Sequence, residues 1–263
     1  MAKLNNNQTP FSVNELNKIE NNIKRYNKYT DGINDKLVKE VNRYQRRYVE
    51  LLREAKFNSI TDIGRLSPME QLGFQNMAVE YMQEYPSNAE RELKNLQSLG
   101  LGTSLSRIDF NTTIRAIQRA DFNVFRAEAE SLDAMIKSRL VNSYVLGEDF
   151  QKSVSILAND MLGADEKLGS LARFSSTYMN TAFTALGRTV DQEVYAREGG
   201  LEDDAEYIYA GPVDNKTSDI CLQYVGQVLR RSEWLEIGDG EGVDIFTIGL
   251  HFNCRHKLLL VRS

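Results

Sequence analysis

The chain of 263 residues is long enough for one large domain or two smaller ones, and its 41% hydrophobic and 26% charged residues disfavour a wholly disordered protein. A mean hydropathy of −0.44 and the lack of any apolar run near ~18 residues exclude a transmembrane helix, and Met1–Asn7 lacks the apolar stretch of a signal peptide. We therefore expect cytoplasmic synthesis and no membrane association. The net charge of −5 provides no overall attraction for nucleic acid, although residues 1–60 carry 12 Lys and Arg against 7 Asp and Glu, whereas residues 201–263 carry 6 against 11.

Helical patterns dominate the first 200 residues. Ser12 and Glu15 match a capping box, which predicts a helix start, and Leu16 and Ile23 recur at helical spacing. Thr30–Gly32 predicts a break before a second helix from about Asn34. Further helices are predicted from Ser67 to about Tyr85, from about Asn111 to Tyr144, from Asp149 to Leu162 and from Gly169 to Glu198.

The pattern changes after Gly200. Short β-like segments are predicted at residues 207–209, 243–248 and 257–261, with a short helix from Ser218 to Tyr224 capped by Thr217 or Ser218. The glycines of Gly238–Gly242 predict an irregular loop. The predicted fold class is therefore mainly α, with an elongated helical body over residues 1–199 followed by a small α+β module over residues 200–263.

This module carries an unusual group of residues. All the cysteines and histidines of the chain lie within 36 positions: Cys221, His251, Cys254 and His256. Zinc binds thiolates and imidazoles in a tetrahedron, usually combining a short-spaced pair with more distant ligands. His251 and Cys254 would form the short-spaced pair, Cys221 the distant ligand, and His256 the fourth. Four protein ligands predict a closed, structural zinc site rather than a catalytic one.

Three other interpretations stay open at this point. The two cysteines could form a disulfide, which a reducing cytosol disfavours but which is possible in a particle released outside the cell. They could also be two buried free thiols, with the histidines exposed by chance. A catalytic site is disfavoured because two histidines are too few to supply both a base and a metal set, and no P-loop, dinucleotide-binding, nucleophile-elbow or zinc-protease motif occurs.

The same segment resembles a known family. Tyr209-Ala210-Gly211-Pro212-Val213-Asp214-Asn215-Lys216-Thr217-Ser218-Asp219-Ile220-Cys221, then Val225-Gly226-Gln227-Val228, then His251-Phe252-Asn253-Cys254-Arg255-His256 is similar to the C-terminal signature of the phage minor head protein family (Mu F-like, or phage head morphogenesis proteins). That signature orders an aromatic strand, Asp-x-x-Thr, Cys, a Gly-x-x strand and a closing His-x-x-Cys-Arg-Cys. The resemblance covers roughly residues 170–263. It departs from the family at His256, which stands for the last Cys, and at Ile248–Leu250, where a Pro is usual.

The resemblance implies a non-enzymatic virion component, made in the host cytoplasm and located in the head interior or at the portal vertex. Portal protein, major capsid protein or both would be its partners, phage DNA a further one during packaging or ejection, and no small-molecule substrate is implied. Asp214 and Arg255 would form a structural pair, or Asp214 would instead cap the turn at Thr217. The alternatives are an enzyme or toxin-type domain, because such modules occur fused to toxins, and a DNA-binding protein.

One side of the second predicted helix offers a surface for such partners. Its basic residues would contact portal protein or DNA phosphates, or would form an ordinary solvated face: Lys39, Arg43, Arg46, Arg47 and Arg53. Tyr44 and Tyr48 lie between them in sequence, but helical spacing places both on the apolar side, which disfavours base stacking.

Overall fold

The computed structural model of the protein describes residues 11–55, 59–65, 72–163, 170–251 and 254–261. The chain forms two compact units of interleaved segments. Unit 1 comprises Met1–Gly32, Tyr85–Arg115 and Met179–Ser263, and unit 2 comprises Ile33–Glu84 and Ala116–Tyr178. The whole of the predicted α+β module, residues 200–263, falls within unit 1.

The described part of the chain is mainly helical with one small antiparallel sheet, which confirms the predicted fold class. The helices are α1 (Val13–Glu54), α2 (Ile60–Arg65), α3 (Phe74–Met82), α4 (Tyr85–Ser98), α5 (Asn111–Val145), α6 (Phe150–Leu162), α7 (Ser170–Arg197), α8 (Asp219–Tyr224) and α9 (Arg231–Glu241). The strands are β1 (Glu206–Ala210), β2 (Val228–Arg230) and β3 (Lys257–Leu260). None of the described helices has an apolar stretch long enough to span a membrane. The predicted helix start at Ser67 lies outside the described residues.

Helix α1 begins as its sequence predicts. The Ser12 backbone N–H donates to Glu15 Oε2 at 2.8 Å, and the Glu15 N–H donates to Ser12 Oγ at 3.3 Å, which completes the capping box. Behind it, apolar residues three or four positions apart are buried, beginning with Leu16, Ile19 and Ile23. This stripe supplies the packing that stabilises a helix much better than propensity alone.

The predicted break at Thr30–Gly32 is wrong, because α1 continues through it. The buried positions stay in helical register across the segment, from Tyr26 to Ile33 and Leu37. Thr30 donates its hydroxyl to the Asn27 carbonyl at 2.9 Å, a bond that fits within a helix. A single interior glycine costs only about 1 kcal/mol relative to alanine, which the continuous apolar stripe outweighs.

The predicted loop at Gly238–Gly242 is also wrong in part, because Gly238 and Gly240 belong to α9 and only Gly242 ends it, at φ +70°. Gly238 is needed for close packing. A Cβ there would lie 2.8 Å from the Val243 carbonyl oxygen and 3.2 Å from Ile245. Glycine marks a close backbone approach here, and not the absence of a helix.

The predicted strand at residues 243–248 forms turns instead. Asp244 Oδ1 accepts hydrogen bonds from the backbone N–H groups of Phe246 at 3.0 Å and Thr247 at 3.3 Å, and Oδ2 accepts from the Thr247 hydroxyl at 2.7 Å. An aspartate that binds its own following backbone stabilises a turn, and this overrides the β propensity of the neighbouring residues.

Alanine substitutions at two glycines are expected to have opposite effects. Gly32→Ala should raise the free energy of unfolding by about 0.5–1 kcal/mol, because the site is helical and a Cβ meets nothing within 4 Å. Gly238→Ala should lower it by about 1–3 kcal/mol through overpacking against the Val243 carbonyl. Urea unfolding followed by far-ultraviolet circular dichroism measures both. A loss of stability in Gly32→Ala would contradict the continuous helix.

The sheet has the strand order β2-β1-β3, and both pairings are antiparallel. In β1, Tyr207 pairs with Leu229 on one side and Leu260 on the other, and Tyr209 pairs with Leu258. The central position of β1 buries Tyr207, Ile208 and Tyr209 almost completely. A strand that is hydrogen-bonded to a neighbouring strand on both sides is rigid, and it holds its side chains and those of adjoining residues in defined positions.

Each unit has its own aromatic core. In unit 1 the ring of Tyr207 contacts those of Tyr195 and Phe246 with centroid distances of 5.6 and 5.1 Å. Trp234, the single tryptophan of the chain, is fully buried there and donates its indole N–H to the Tyr207 carbonyl at 3.0 Å. In unit 2, Phe125 packs edge-on against Phe174 and Tyr178. Edge-to-face pairs of this kind add to the burial of the rings.

Candidate metal centre

Cys221 is placed by a short capped helix. Ser218 precedes α8, and its hydroxyl accepts a hydrogen bond from the Cys221 backbone N–H at 3.4 Å. This is the N-cap that the sequence predicted for the segment 218–224. Cys221 is 1% exposed. The short helix therefore holds a sulfur inside the protein at the end of a connection from β1.

Cys254 and His256 lie just before β3 and are also buried, at 1% and 2% exposure. One residue separates them, and a Cβ on Gly211 would lie 2.2 Å from His256 Cδ2. Only glycine at position 211 leaves room for the imidazole against the end of β1. The ring of Tyr209 stacks on that of His256, with centroids 5.4 Å apart and planes 14° apart.

The ligand atoms of Cys221, Cys254 and His256 all lie within 4.8 Å of one another. The two sulfurs are 3.7 Å apart, and both cysteines are free thiols. Disulfide sulfurs are about 2.05 Å apart. Zinc–sulfur bonds of about 2.3 Å in a tetrahedron place two sulfurs about 3.8 Å apart. The observed spacing is therefore not that of a disulfide and is compatible with two ligands on one ion.

His256 provides the independent test of fit. Neither Nδ1 nor Nε2 of its buried ring has a partner at full hydrogen-bond geometry, although the ring is near enough to Cys254 to lower the pKa of that thiol. A buried polar atom without a partner costs about 1–3 kcal/mol, and native proteins rarely keep one without a reason. A metal ion between His256 and the two sulfurs would satisfy one of these nitrogens. The group of three residues is thus positioned to bind a metal.

His251 lies at the edge of this group. Its Nε2 is 3.3 Å from Cys221 Sγ and 2.9 Å from the Ser218 hydroxyl. It is not part of the set whose ligand atoms all lie within 4.8 Å of one another. The sequence placed His251 in the short-spaced pair with Cys254 and added His256 only as the fourth ligand, whereas the structure places His256 near both sulfurs and His251 beside one of them.

Tyr209 is a member of the site that the sequence did not identify. Its hydroxyl lies 3.4 Å from Cys221 Sγ and 3.1 Å from Cys254 Sγ. Burial, together with the nearby sulfurs, raises the pKa of Tyr209 well above its ordinary value, so the hydroxyl keeps its proton and can donate to a thiolate. Only its place as an aromatic residue in a strand next to the cluster could have indicated this role.

The two thiols have opposite pKa shifts. The hydrogen bond from Cys221 lowers the pKa of Cys254, and the same contact, with burial, raises the pKa of Cys221. The pair can therefore carry one negative charge readily but resists a second. A divalent cation would change this balance, because cysteines bind metal ions as thiolates.

Asp214 makes both of the contacts considered from the sequence. Its carboxylate accepts hydrogen bonds from Arg255 Nη1 at 2.8 Å and Nη2 at 2.5 Å, a two-pronged ion pair. It also accepts from the Lys216 backbone N–H at 2.9 Å, and Thr217 closes the same turn. The guanidinium of Arg255 holds the pKa of Asp214 well below its usual range. The pair ties the loop after β1 to the segment that carries Cys254 and His256.

Sequence reasoning also did not identify the buried charged residues that contact the segment carrying Cys254 and His256. Arg188 of α7 is 3% exposed and donates to four backbone carbonyls around the cluster. Lys257, which follows His256, forms ion pairs with Glu92 and with Asp191, the latter at 3.3 Å. Charged side chains within the apolar pattern of α7 were the available signal, but their partners are distant in sequence.

The basic residues of α1 are placed elsewhere. Lys39, Arg43, Arg46, Arg47 and Arg53 are exposed and belong to unit 2, whereas the metal cluster belongs to unit 1. Arg43 forms an ion pair with Glu40 at 2.9 Å. Tyr44 and Tyr48 are buried, as helical spacing predicted. The basic face therefore has no exposed aromatic residue from this pair for stacking.

Comparison of the chain with protein-family models, with curated proteins and with solved structures found no significant match in any of the three.

Proposed function

We propose that the cluster is a structural zinc site formed by Cys221, Cys254, His256 and His251. The supporting observation is the 3.7 Å spacing of the sulfurs next to a buried imidazole with no other partner. His251 would complete the tetrahedron by moving toward the other ligands: its Nε2 is 3.3 Å from Cys221 Sγ, near the about 3.5 Å between a zinc-bound nitrogen and sulfur, but it does not lie within 4.8 Å of every other ligand atom. Four protein ligands leave no open position for a substrate, so the zinc stabilises and does not catalyse.

We propose further that the protein is a minor head protein of a tailed phage, without enzymatic activity, in the head interior or at the portal vertex. The observation that supports it is the convergence of the signature residues. Asp214 and Arg255 are 41 positions apart and form a two-pronged pair, and Cys221 and Cys254 are 33 apart and in contact. Elements that resemble the family in sequence order thus also form one site, which chance similarity does not require.

The exposed basic face of α1 is our proposed contact for the portal protein, with phage DNA as a further partner. The test is co-expression of the full chain with the portal protein of its own phage, followed by affinity purification. We expect the two to co-purify, and Arg43→Glu, Arg46→Glu and Arg47→Glu together to weaken the complex. Reversing Arg115, Arg119 and Arg126, three exposed arginines of α5, is the matched control. A protein that stays monomeric and does not bind the portal contradicts the proposal.

A salt titration separates the two partners. If the full chain contacts DNA phosphates, its affinity for a short DNA duplex should fall steeply with salt concentration. The dependence of the affinity on salt should be weaker in the variant with Arg43, Arg46 and Arg47 changed to Glu. Strong DNA binding without portal binding would favour the DNA-binding alternative over a head-assembly role.

A further inference from the structure

A single guanidinium connects both ends of the loop that carries three of the proposed ligands. Arg188 Nη1 donates to the carbonyls of Thr247, at 3.2 Å, and Ile248. Its Nη2 donates to the carbonyls of Cys254 at 2.8 Å and His256 at 2.7 Å. The first pair of carbonyls lies before His251 and the second lies on two proposed ligands themselves. One side chain of α7 therefore contacts both ends of the loop.

The surrounding chain is shaped around this guanidinium. Gly249 has φ +85°, and a Cβ there would lie 2.6 Å from Arg188 Nη2 and 2.9 Å from Cys254 Cβ. No side chain at position 249 is compatible with both neighbours. The planar fork of arginine presents several N–H donors in fixed directions, whereas lysine presents a point charge on a flexible stem. Four carbonyls in two groups match the fork and not the ammonium.

We propose that Arg188 is the positioning residue of the metal centre, which holds Cys254 and His256 in ligand geometry before the metal binds. This inference rests on the proposed zinc site. A ligand set that is already ordered loses less conformational entropy on binding, so the affinity is higher than for a loop that the metal must order. Groups that orient metal ligands typically change metal affinity 10- to 100-fold when mutated, and we expect about that loss from Arg188→Lys.

The experiment measures metal affinity and site geometry in the full-length protein. Zinc affinity is obtained by competition with a chelator, and Co²⁺ in place of zinc reports ligand geometry through its visible absorption. Arg188→Lys should lose affinity and show an altered Co²⁺ spectrum. Arg197→Lys, at an exposed arginine of the same helix, should change neither the zinc affinity nor the Co²⁺ spectrum. Leu93→Ala destabilises the core of the same unit but should leave the zinc affinity of the folded protein unchanged.

The outcomes separate this inference from the zinc proposal. A wild type that binds no zinc refutes the site itself, whereas a folded Arg188→Lys variant with wild-type affinity and spectrum refutes only the role of Arg188. If Arg188→Lys does not fold, hydrogen exchange of the wild type after removal of zinc by a chelator tests whether the loop is ordered before the metal binds. The Cys254 N–H, bonded to the His251 carbonyl at 3.2 Å, should stay protected without metal. Exchange at the rate of an unfolded chain would show that the metal alone orders the loop.

Discussion

Chelation of zinc is expected to lower the free energy of unfolding, measured at Trp234, by about 3–4 kcal/mol. The reference is protein in a free zinc concentration roughly 100- to 1,000-fold above the dissociation constant. An ion that binds only the folded state stabilises it in proportion to the logarithm of this excess. Trp234 is a suitable probe because it is the single tryptophan and its ring lies 5.6 Å from that of Tyr209, whose hydroxyl contacts both sulfurs. Urea unfolding followed by its fluorescence therefore reports on the unit that contains the site.

Cysteine variants control for other effects of the chelator. Cys221→Ser and Cys254→Ser should unfold at lower urea concentrations and no longer respond to chelation. His251→Ala should retain a weaker response if three ligands remain. Elemental analysis should find one zinc per chain in the wild type. The absence of stoichiometric metal, together with a Cys221–Cys254 link under non-reducing mass spectrometry, would replace the zinc site by a disulfide.

Replacement of the buried lysine is expected to have the second large effect. Lys257→Met should lower the free energy of unfolding by about 3–5 kcal/mol, because it leaves the carboxylates of Glu92 and Asp191 buried without their cation. Glu92 and Asp191 are 0% and 1% exposed, so water cannot replace the lost charge. Fluorescence of Trp234 during urea unfolding again provides the measurement.

A matched pair of controls separates charge from packing. Lys94→Met removes an exposed ion pair with Glu90 on α4 and should change stability by about 0.5 kcal/mol or less. Adding Glu92→Gln and Asp191→Asn to Lys257→Met should recover part of the loss, since no net charge then stays buried. Equal effects of Lys257→Met and Lys94→Met would contradict a buried ion cluster.

The pH dependence of Lys257→Met follows from Asp191. Burial, reinforced by the charge of Glu92, raises the folded-state pKa of Asp191 well above its ordinary value. A carboxyl group whose folded pKa is raised stabilises the fold below its unfolded pKa, and this contribution is lost as pH rises through the folded pKa. The Lys257 ammonium lowers this pKa, so its removal raises the pKa of Asp191 further. Acidification from pH 7 to pH 5 should therefore stabilise Lys257→Met more than the wild type and narrow the difference in their free energies of unfolding.

Local chemistry was sufficient to predict most of the helices. The Ser12–Glu15 capping box and the Asp149 and Ser218 caps are formed by bonds between residues three positions apart, so a short stretch of sequence is enough to predict them. The helix at Asn111–Val145 follows from an apolar stripe uninterrupted by glycine or proline. The concentration of cysteine and histidine in residues 221–256 likewise needed no structure to indicate a metal site.

Tertiary structure decided where local signals compete. Gly32 and Gly238 looked like breaks, but both lie inside helices. At Gly32 the apolar stripe continues across the glycine, and at Gly238 a close carbonyl requires a residue without a Cβ. The segment 243–248 has β propensity, yet the side chain of Asp244 turns it. Secondary-structure propensity is weak compared with packing and with side-chain hydrogen bonds to the backbone, so the secondary structure at these positions could not be predicted from the local sequence.

The sequence by itself thus determined the ligand types, the mainly helical fold and the capped ends that position Cys221. Only the tertiary structure placed His256 near both sulfurs and His251 beside one of them, because Gly211 and Tyr209 shape the space for one imidazole. It alone brought Arg188 to four carbonyls and Lys257 to Glu92 and Asp191. These contacts join residues 59 to 165 positions apart, and no local pattern encodes such distances.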